Sequence, residues 1–357
     1  MKKLLIPILI VCAFVQVKGQ NRKVLLEEFT GAYCGQCPMG SYYVDSMLDK
    51  HPDLIAVSLH AYSVPDAMDF AQIDTLYNNY SAGAPLACVD RIYWGSWPYV
   101  AITQSGWDAR IQTRLAVAAQ LNVSINPLSW NATSRGISGT VNVNILSNLP
   151  TGDYRIGIYV VEDSVSGTGP GYDQANVYDG SPGSPFYGMG DPIVGYIHRH
   201  VARALLPTAW GATGILPPAP LSGQSFTYPF AYTLPFAYNE NRVSLIAFVY
   251  RFTAGHQGDE VLNADQQDLL SPTGHEDLLS VKNFNAYPNP TSGIITILSQ
   301  EELSCVDVMD IAGNRIISLS GKSYNQEIDV SNLARGIYLI RVTVKDGSCA
   351  VKKIIVN

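Results

Sequence analysis

Charge is scarce in this chain of 357 residues, and positive charge is the scarcer kind: 23 Lys and Arg stand against 30 Asp and Glu, a formal net charge of −7. Without a basic surplus to neutralise phosphates, nucleic acid is excluded as a partner. Beyond the first twenty residues no run is apolar for the ~20 residues that a membrane-spanning helix needs. Strands of amphipathic alternation are too few and too scattered for a transmembrane barrel. Several chemical motifs are missing as well. There is no G-x-S-x-G and no credible Ser–His–Asp set, and no segment follows the D-x-[DN]-x-[DN]-G pattern of a calcium loop. Gly167-Thr168-Gly169-Pro170-Gly171 lacks the strand-to-helix context of a phosphate cradle. Of six cysteines only Cys34 and Cys37 are close together; Cys12, Cys88, Cys305 and Cys349 are single, so no second pair completes a zinc site.

What is present points outward from the cytosol. Apolar residues make up 47% of the chain, enough for substantial cores, and Gly, Pro and Tyr number 30, 21 and 21, a β-rich and extracellular composition. Residues 1–19 read as an export signal, with Lys2 and Lys3 as the basic start, Leu4 to Val15 as the apolar stretch and Val17-Lys18-Gly19 as the cleavage site. Cys12 lies inside it, but Val11 is too bulky for the small residue that lipidation requires before the cysteine. Losing Lys2, Lys3 and Lys18 takes the formal charge from −7 to −10. Export implies an oxidising compartment, in which the remaining cysteines can pair.

The length predicts two or three domains, and the hydrophobic period changes along the chain. Residues 20–122 alternate strand and helix patterns: strands over 24–29, 54–59 and 86–89, helices from Pro38, over 67–80 and over 107–119. This is an α/β domain with a partly parallel sheet. From 123 to 270 the period becomes two, as in Val141, Val143 and Ile145, which predicts an antiparallel β-sandwich. Within it a long Gly/Pro/Asp/Tyr-rich loop runs from Asp163 to Asp191. Residues 271–283 read as a polar linker and 284–357 as a small all-β domain.

The chemistry concentrates at Cys34-Gly35-Gln36-Cys37. The run Val24 to Phe29 is a buried strand pattern, and Pro38 opens a helix with Met39, Tyr43 and Met47 on one face. At a helix N-terminus the first sulfur is favoured as thiolate, the species that attacks in exchange, and the second releases the mixed disulfide. Exchange of this kind needs neither a metal nor an organic cofactor.

Glu28-Phe29-Thr30-Gly31-Ala32-Tyr33-Cys34-Gly35-Gln36-Cys37 resembles the thioredoxin pattern of acid, aromatic, spacer, aromatic, Cys, Gly, x, Cys. The resemblance implies that Cys34 attacks and Cys37 resolves. It also implies that Glu28 occupies the place of the buried carboxylate that assists proton transfer; a solvated strand-end carboxylate is the other reading. Gly83-Ala84-Pro85-Leu86 looks like the cis-proline element that faces the disulfide and docks peptide, with an ordinary trans turn as its alternative. Gln36 stands where thioredoxin has proline and Tyr33 where it has tryptophan, so redox direction does not carry over.

Toward the C-terminus, Tyr287-Pro288-Asn289-Pro290-Thr291-Ser292-Gly293, the Asp310-Ile311-Ala312-Gly313-Asn314 turn, Leu333-Ala334-Arg335-Gly336-Ile337-Tyr338 and Lys352-Lys353-Ile354-Ile355-Val356 follow in order. Together they resemble the sorting domain of type IX secretion, which implies the type IX machinery as partner and an outer-membrane-associated surface or secreted location. The whole arrangement resembles the Omp28-type outer membrane proteins, most strongly at residues 24–38 and loosely at His198-Arg199-His200-Val201-Ala202-Arg203. The "outer membrane" of that family describes location and implies no barrel.

Other constellations carry less. His198 and His200 would share one side of a strand, as a metal pair or as surface polar residues, with no third ligand nearby. Tyr93, Trp94, Trp97 and Tyr99 follow the Pro85 strand. With Tyr33 they would rim the disulfide as a substrate-binding surface, or else pack between domains. Cys88 reads as a buried inert thiol, and Cys305 with Cys349 as a candidate disulfide of the tail. Two functions remain open: thiol–disulfide exchange with protein thiol substrates, or a surface-displayed binding protein, an adhesin or nutrient-capture module, in which Cys34–Cys37 is a static bridge.

Overall fold

The computed structural model describes residues 22–61, 65–95, 99–270, 284–310, 314–345 and 349–357. The expected export signal with Cys12, the linker and Trp97 lie outside the described residues. The chain divides into two compact units, Met1–Ser271 and Pro272–Asn357.

In the first unit, β1 (Val24–Thr30) leads through a tight turn into α1 (Cys37–Lys50) and then β2 (Leu54–His60), which lies parallel to β1 with Glu28 beside Ser58. Next come α2 (Ala71–Tyr80), β3 (Leu86–Val89), antiparallel to β1, and α3 (Trp107–Leu115). Alternation along β1 decides what each side chain meets. Val24 and Leu26 pack with Val44, Trp107 and Ile111, on the side of α1 and α3. Leu25 and Phe29 pack with Ile73, Leu76 and Tyr80 of α2. Each such fully buried side chain is worth roughly 1.5–3 kcal/mol of transfer free energy.

Two helix ends differ from their sequence pattern. α2 begins at Ala71 rather than Ala67, because the Asp66 carboxylate takes the Met68 and Ala32 amides and His60 Nδ1, which holds residues 66–70 in a turn. α3 stops at Leu115 rather than running to Ala119; the Val117 amide bonds back only three residues, to the Arg114 carbonyl, and closes the last turn.

The strands of period two do not form a sandwich of their own. β6 (Asp153–Glu162), β7 (Val201–Leu206), β9 (Val243–Phe252) and β10 (Glu260–Asp268) extend the first sheet into seven strands, ordered β10-β9-β6-β7-β2-β1-β3. β4 (Leu121–Asn131), β5 (Gly136–Ile145) and β8 (Ser225–Thr233) form a separate three-stranded sheet. Its Val123, Ile125, Val141 and Val143 pack against Ile156, Ile158, Leu245 and Val249 of the large sheet. Sandwich packing is therefore present, but one of its layers is continuous with the α/β sheet. The junction is narrow: Ser58 of β2 pairs with Val201 of β7, and the Ser58 amide donates to the His200 carbonyl at 2.8 Å. A period of two identifies a strand; it does not say which edge that strand joins. Buried pairs sit near this sheet: Arg91 bonds Glu27 at 2.6 and 2.8 Å, and Tyr159 donates to Glu27 at 2.6 Å.

The second unit is all-β. β12 (Ile294–Met309) is flanked by β11 (Phe284–Tyr287), β13 (Arg315–Asp329) and β14 (Gly336–Val344), and β15 (Cys349–Val356) closes the edge beyond β14. Ile295, Ile297, Val306, Val308, Ile340, Val342 and Ile354 form its core. The expected Asp310–Asn314 turn is closed by the Asn314 amide on Asp310 Oδ1 at 2.8 Å. The strand register does not fit the expected tail disulfide. Thr343 of β14 pairs with Cys305 on one side and with Cys349 on the other, so a whole strand separates the two cysteines. Two strand spacings, about 9.5 Å, exceed the ~7 Å limit for bridged Cα atoms, and Cys305 is a free thiol.

Candidate functional site

The turn from β1 to α1 holds a Cys34–Cys37 disulfide. The Cys34 amide donates to the Gly31 carbonyl at 3.1 Å and the Cys37 amide to the Cys34 carbonyl at 3.0 Å, so two consecutive reverse bonds bring the sulfurs together. Cys37 is the first residue of α1 and Pro38 follows in the first turn, where a missing amide hydrogen costs nothing.

Against the first turn of α1, where Gly40 follows Cys37 by three residues, lies a buried carboxyl. Glu28 is fully enclosed, on the α1 side of β1. Ser58 Oγ donates to its Oε2 at 3.1 Å, while Oε1 is buried with no hydrogen-bond partner among the described residues. Burial pushes its pKa up to about 8; the Ser58 bond opposes the rise and the nearby Asp45 charge adds to it. A neutral carboxyl that can give up and regain a proton near neutral pH therefore lies against the first turn of the helix that Cys37 opens. Of the two sequence readings, the structure has the buried one.

Pro85 follows a cis peptide bond from Ala84 and is buried at the same place. A Cβ added to Gly40 of α1 would stand 2.4 Å from Glu28 Oε1 and 2.5 Å from Pro85 Cβ. Gly40 thus lets the helix rest on both groups at once. Gly40→Ala is expected to lose about 1–3 kcal/mol through overpacking and to shift the titration of Glu28. Urea denaturation and a carboxyl NMR titration check this, and a variant unchanged in both would contradict the close approach.

The surroundings of the turn come from the long loop. Gln174 is buried, and its Nε2 lies 3.2, 3.1 and 3.0 Å from the carbonyls of Gly31, Ala32 and Cys34. The Ala175 amide donates to Ala32 O at 2.8 Å and the Val177 amide to Gly35 O at 3.0 Å. Under this cover Cys34 is only 4% exposed and Cys37 1%. The aspartates of the loop are engaged in its own architecture. Asp173 takes the Gly169 and Gly195 amides, Asp179 the Gly190 amide, Asp191 the Asn176 amide, and Asp163 pairs with Arg199.

The two histidines considered as a metal pair diverge. His198 turns inward, donates from Nε2 to the Tyr172 carbonyl at 2.8 Å and meets the His60 ring edge-on at 5.1 Å. Burial pushes its pKa down to about 4, so the ring is neutral. His200 turns to Asp45 at 3.2 Å. Tyr33 is half exposed beside Cys34. Trp94 lies past β3, which ends at the Leu26 end of β1, away from Cys34, and its ring carries the Arg110 guanidinium at 4.5 Å. Cys88 is a buried free thiol whose pKa is raised by burial. The structure thus brings Cys34, Cys37, Glu28 and Pro85 together and puts Trp94 against α3. Ser58, Gly40 and Gln174 escaped the sequence reading. Only the length of the loop hinted at Gln174.

Comparison with known proteins adds the following. Residues 73–271 match the family described as outer membrane protein Omp28, and residues 285–357 match the secretion system C-terminal sorting domain. The Omp28 match lies over the middle of the chain and begins beyond the C-x-x-C turn, not at residues 24–38 where the likeness was expected to be strongest. No curated protein matches the chain significantly. Among solved structures, HBP35 of Porphyromonas gingivalis is similar over 94% of this chain and 99% of its own, at 20% identity and a TM-score of 0.54, a likeness of fold. A domain of the outer membrane lipoprotein Omp28 from Porphyromonas gingivalis aligns with 42% of this chain and 86% of its own, at 18% identity and a TM-score of 0.23.

Proposed function

This chain belongs to the outer membrane protein Omp28 family and is exported to the outer membrane or cell surface, with the type IX secretion machinery as the reader of its sorting domain; we propose that there it carries out thiol–disulfide exchange through Cys34 and Cys37. The observation that carries this reading is the buried, partly unsatisfied Glu28 carboxyl, packed against cis-Pro85 and Gly40 at the helix N-terminus that carries the disulfide. A static bridge has no need of a group that exchanges protons there. The strand order β2-β1-β3, the parallel β1–β2 pair and the proline before β3 support a thioredoxin-like reading of residues 20–122.

In the oxidising direction, a client thiolate attacks Cys34 Sγ and breaks the Cys34–Cys37 bond. Cys37 leaves as a thiolate and takes a proton, for which Glu28 is the nearby donor. A second client thiolate then attacks the client sulfur of the mixed disulfide and releases Cys34. The client loses two electrons and the pair gains them. The reducing direction is the same sequence reversed. Direction is set by the potential of the pair against that of its partners.

The near-complete burial of both sulfurs favours the second reading, a surface binding protein with a structural bridge. The reduction potential separates the two. Equilibrated against glutathione or dithiothreitol, the pair is expected between roughly −120 and −270 mV, the range of working exchange proteins, whereas a value below about −300 mV would make the bridge structural.

A further inference from the structure

The cover over the disulfide is a short strap, residues 174–177. Its donors are set in a row: Gln174 Nε2, the Ala175 amide and the Val177 amide meet the carbonyls of Ala32, Cys34 and Gly35. The Val177 side chain lies flat on Gly35, so close that a Cβ there would be 2.5 Å from Val177 Cγ1. Yet Val177 is itself 57% exposed.

The strap is held mainly by its own loop. Gln174 and Ile193 exchange both backbone hydrogen bonds, and Asn176 Nδ2 donates to the Phe186 and Gly190 carbonyls while its backbone amide donates to Asp191 Oδ1. Lifting residues 174–177 off the turn therefore breaks the bonds to residues 31–35 and leaves those within the loop intact. What it uncovers is a row of carbonyl acceptors beside Cys34, an edge that matches the backbone amides of any extended polypeptide.

We propose that residues 174–177 are a built-in occupant of a polypeptide-docking edge, and that a client segment in extended conformation reaches Cys34 by displacing them. This rests on the exchange reading above, to which it adds the class of client and the gate. Small thiols gain nothing from the edge and meet a closed site. A polypeptide thiol replaces the bonds it breaks.

Two measurements on the full mature chain test it. First, the rate of reduction of the Cys34–Cys37 disulfide by dithiothreitol is followed in the wild type and in Val177→Gly, a change at a half-exposed position. The variant is expected to react at least tenfold faster. Second, hydrogen exchange is followed in the unaltered protein with and without an excess of a twelve-residue extended peptide carrying serine in place of cysteine. The peptide is expected to raise exchange at the Ala175 and Val177 amides, while the Gln174 amide, bonded within the loop, keeps its protection. Reduction rates equal within twofold, or exchange at Ala175 and Val177 unmoved by the peptide, overturns the proposal. The equilibrium potential of the same samples stands apart from these rates. A structural potential alongside a large acceleration would sink the exchange reading and leave the strap as a cover, whereas an exchange-range potential with equal rates would sink the strap alone.

Discussion

Cys37→Ser is expected to accumulate long-lived mixed disulfides through Cys34, and Cys34→Ser is expected to accumulate none and to show no exchange above the uncatalysed rate. The asymmetry follows from position. Cys34 is in the turn, beside the edge where a client sulfur would arrive, while Cys37 lies inside the first turn of α1 at 1% exposure. With serine at position 37 the mixed disulfide has no internal thiol to resolve it, so it persists until an external thiol arrives. The measurement is incubation of each variant with an unfolded polypeptide that holds a disulfide, which the Cys34 thiolate attacks while the polypeptide's other sulfur leaves as thiolate, followed by non-reducing electrophoresis and mass spectrometry of the adducts. Adducts formed equally by both variants would reverse the assigned order of attack. A complete lack of adducts with Cys37→Ser would remove the exchange mechanism.

Glu28→Gln is expected to flatten the pH dependence of both stability and exchange. The folded-state pKa of Glu28 is raised by burial to about 8, against an ordinary 4.5. Below pH 4.5 folded and unfolded states are both protonated, and the buried neutral carboxyl is tolerated at full stability. As pH rises from 4.5 toward 8 the unfolded chain releases this proton while the folded one keeps it, so stability falls across that window. The size of the loss is roughly 3–5 kcal/mol by pH 8, at about 1.4 kcal/mol per tenfold change in binding. Glutamine is neutral throughout, so the variant is expected to be the more stable protein at pH 8 and to lose its advantage near pH 4.5. Urea denaturation at pH 4.5, 6 and 8 tests this. Parallel curves for the two proteins at all three pH values would show that Glu28 does not hold its proton. Exchange should respond in the opposite sense: the rate of Cys37 release in the variant is expected to fall about tenfold or more, since its proton donor is gone.

The local chemistry of the site was legible because it is local. The strand 24–30, the C-x-x-C turn and the helix from residue 37 are contiguous, and period and proline placement describe them well. Pro85 was recognisable from its place before a short strand. Two things were not legible. Whether Glu28 is buried depends on Gly40 and Pro85 closing over it and on Ser58 arriving from β2, contacts that no periodicity encodes. The strap is further removed still: Gln174 lies 140 residues from Cys34, in a loop whose composition says only that it turns often. The sheet shows the same limit. The period of two marked the middle segment as strands, but the joining of β6 and β9 to β2 through β7 is decided by edges that are unpaired until the chain meets itself. Cys305 and Cys349 fell on separate strands as expected, and only the register put a third strand between them.

One structural feature bears on how the protein comes to exist at all. Asp90 is buried under Arg22 and Arg114, its other oxygen holds the Leu25 amide, and both arginines also grip the Val261 carbonyl. The opening of the first strand is thus clasped by a residue from the last strand of the same unit. Contacts of such long range make folding slow and late, and the segment bearing the cysteines has to wait, incomplete, until residue 261 has emerged. The sheet order therefore argues against cutting the first 122 residues free as a miniature exchange protein, since that fragment would carry Asp90, Arg22 and Arg114 without the backbone that closes over them.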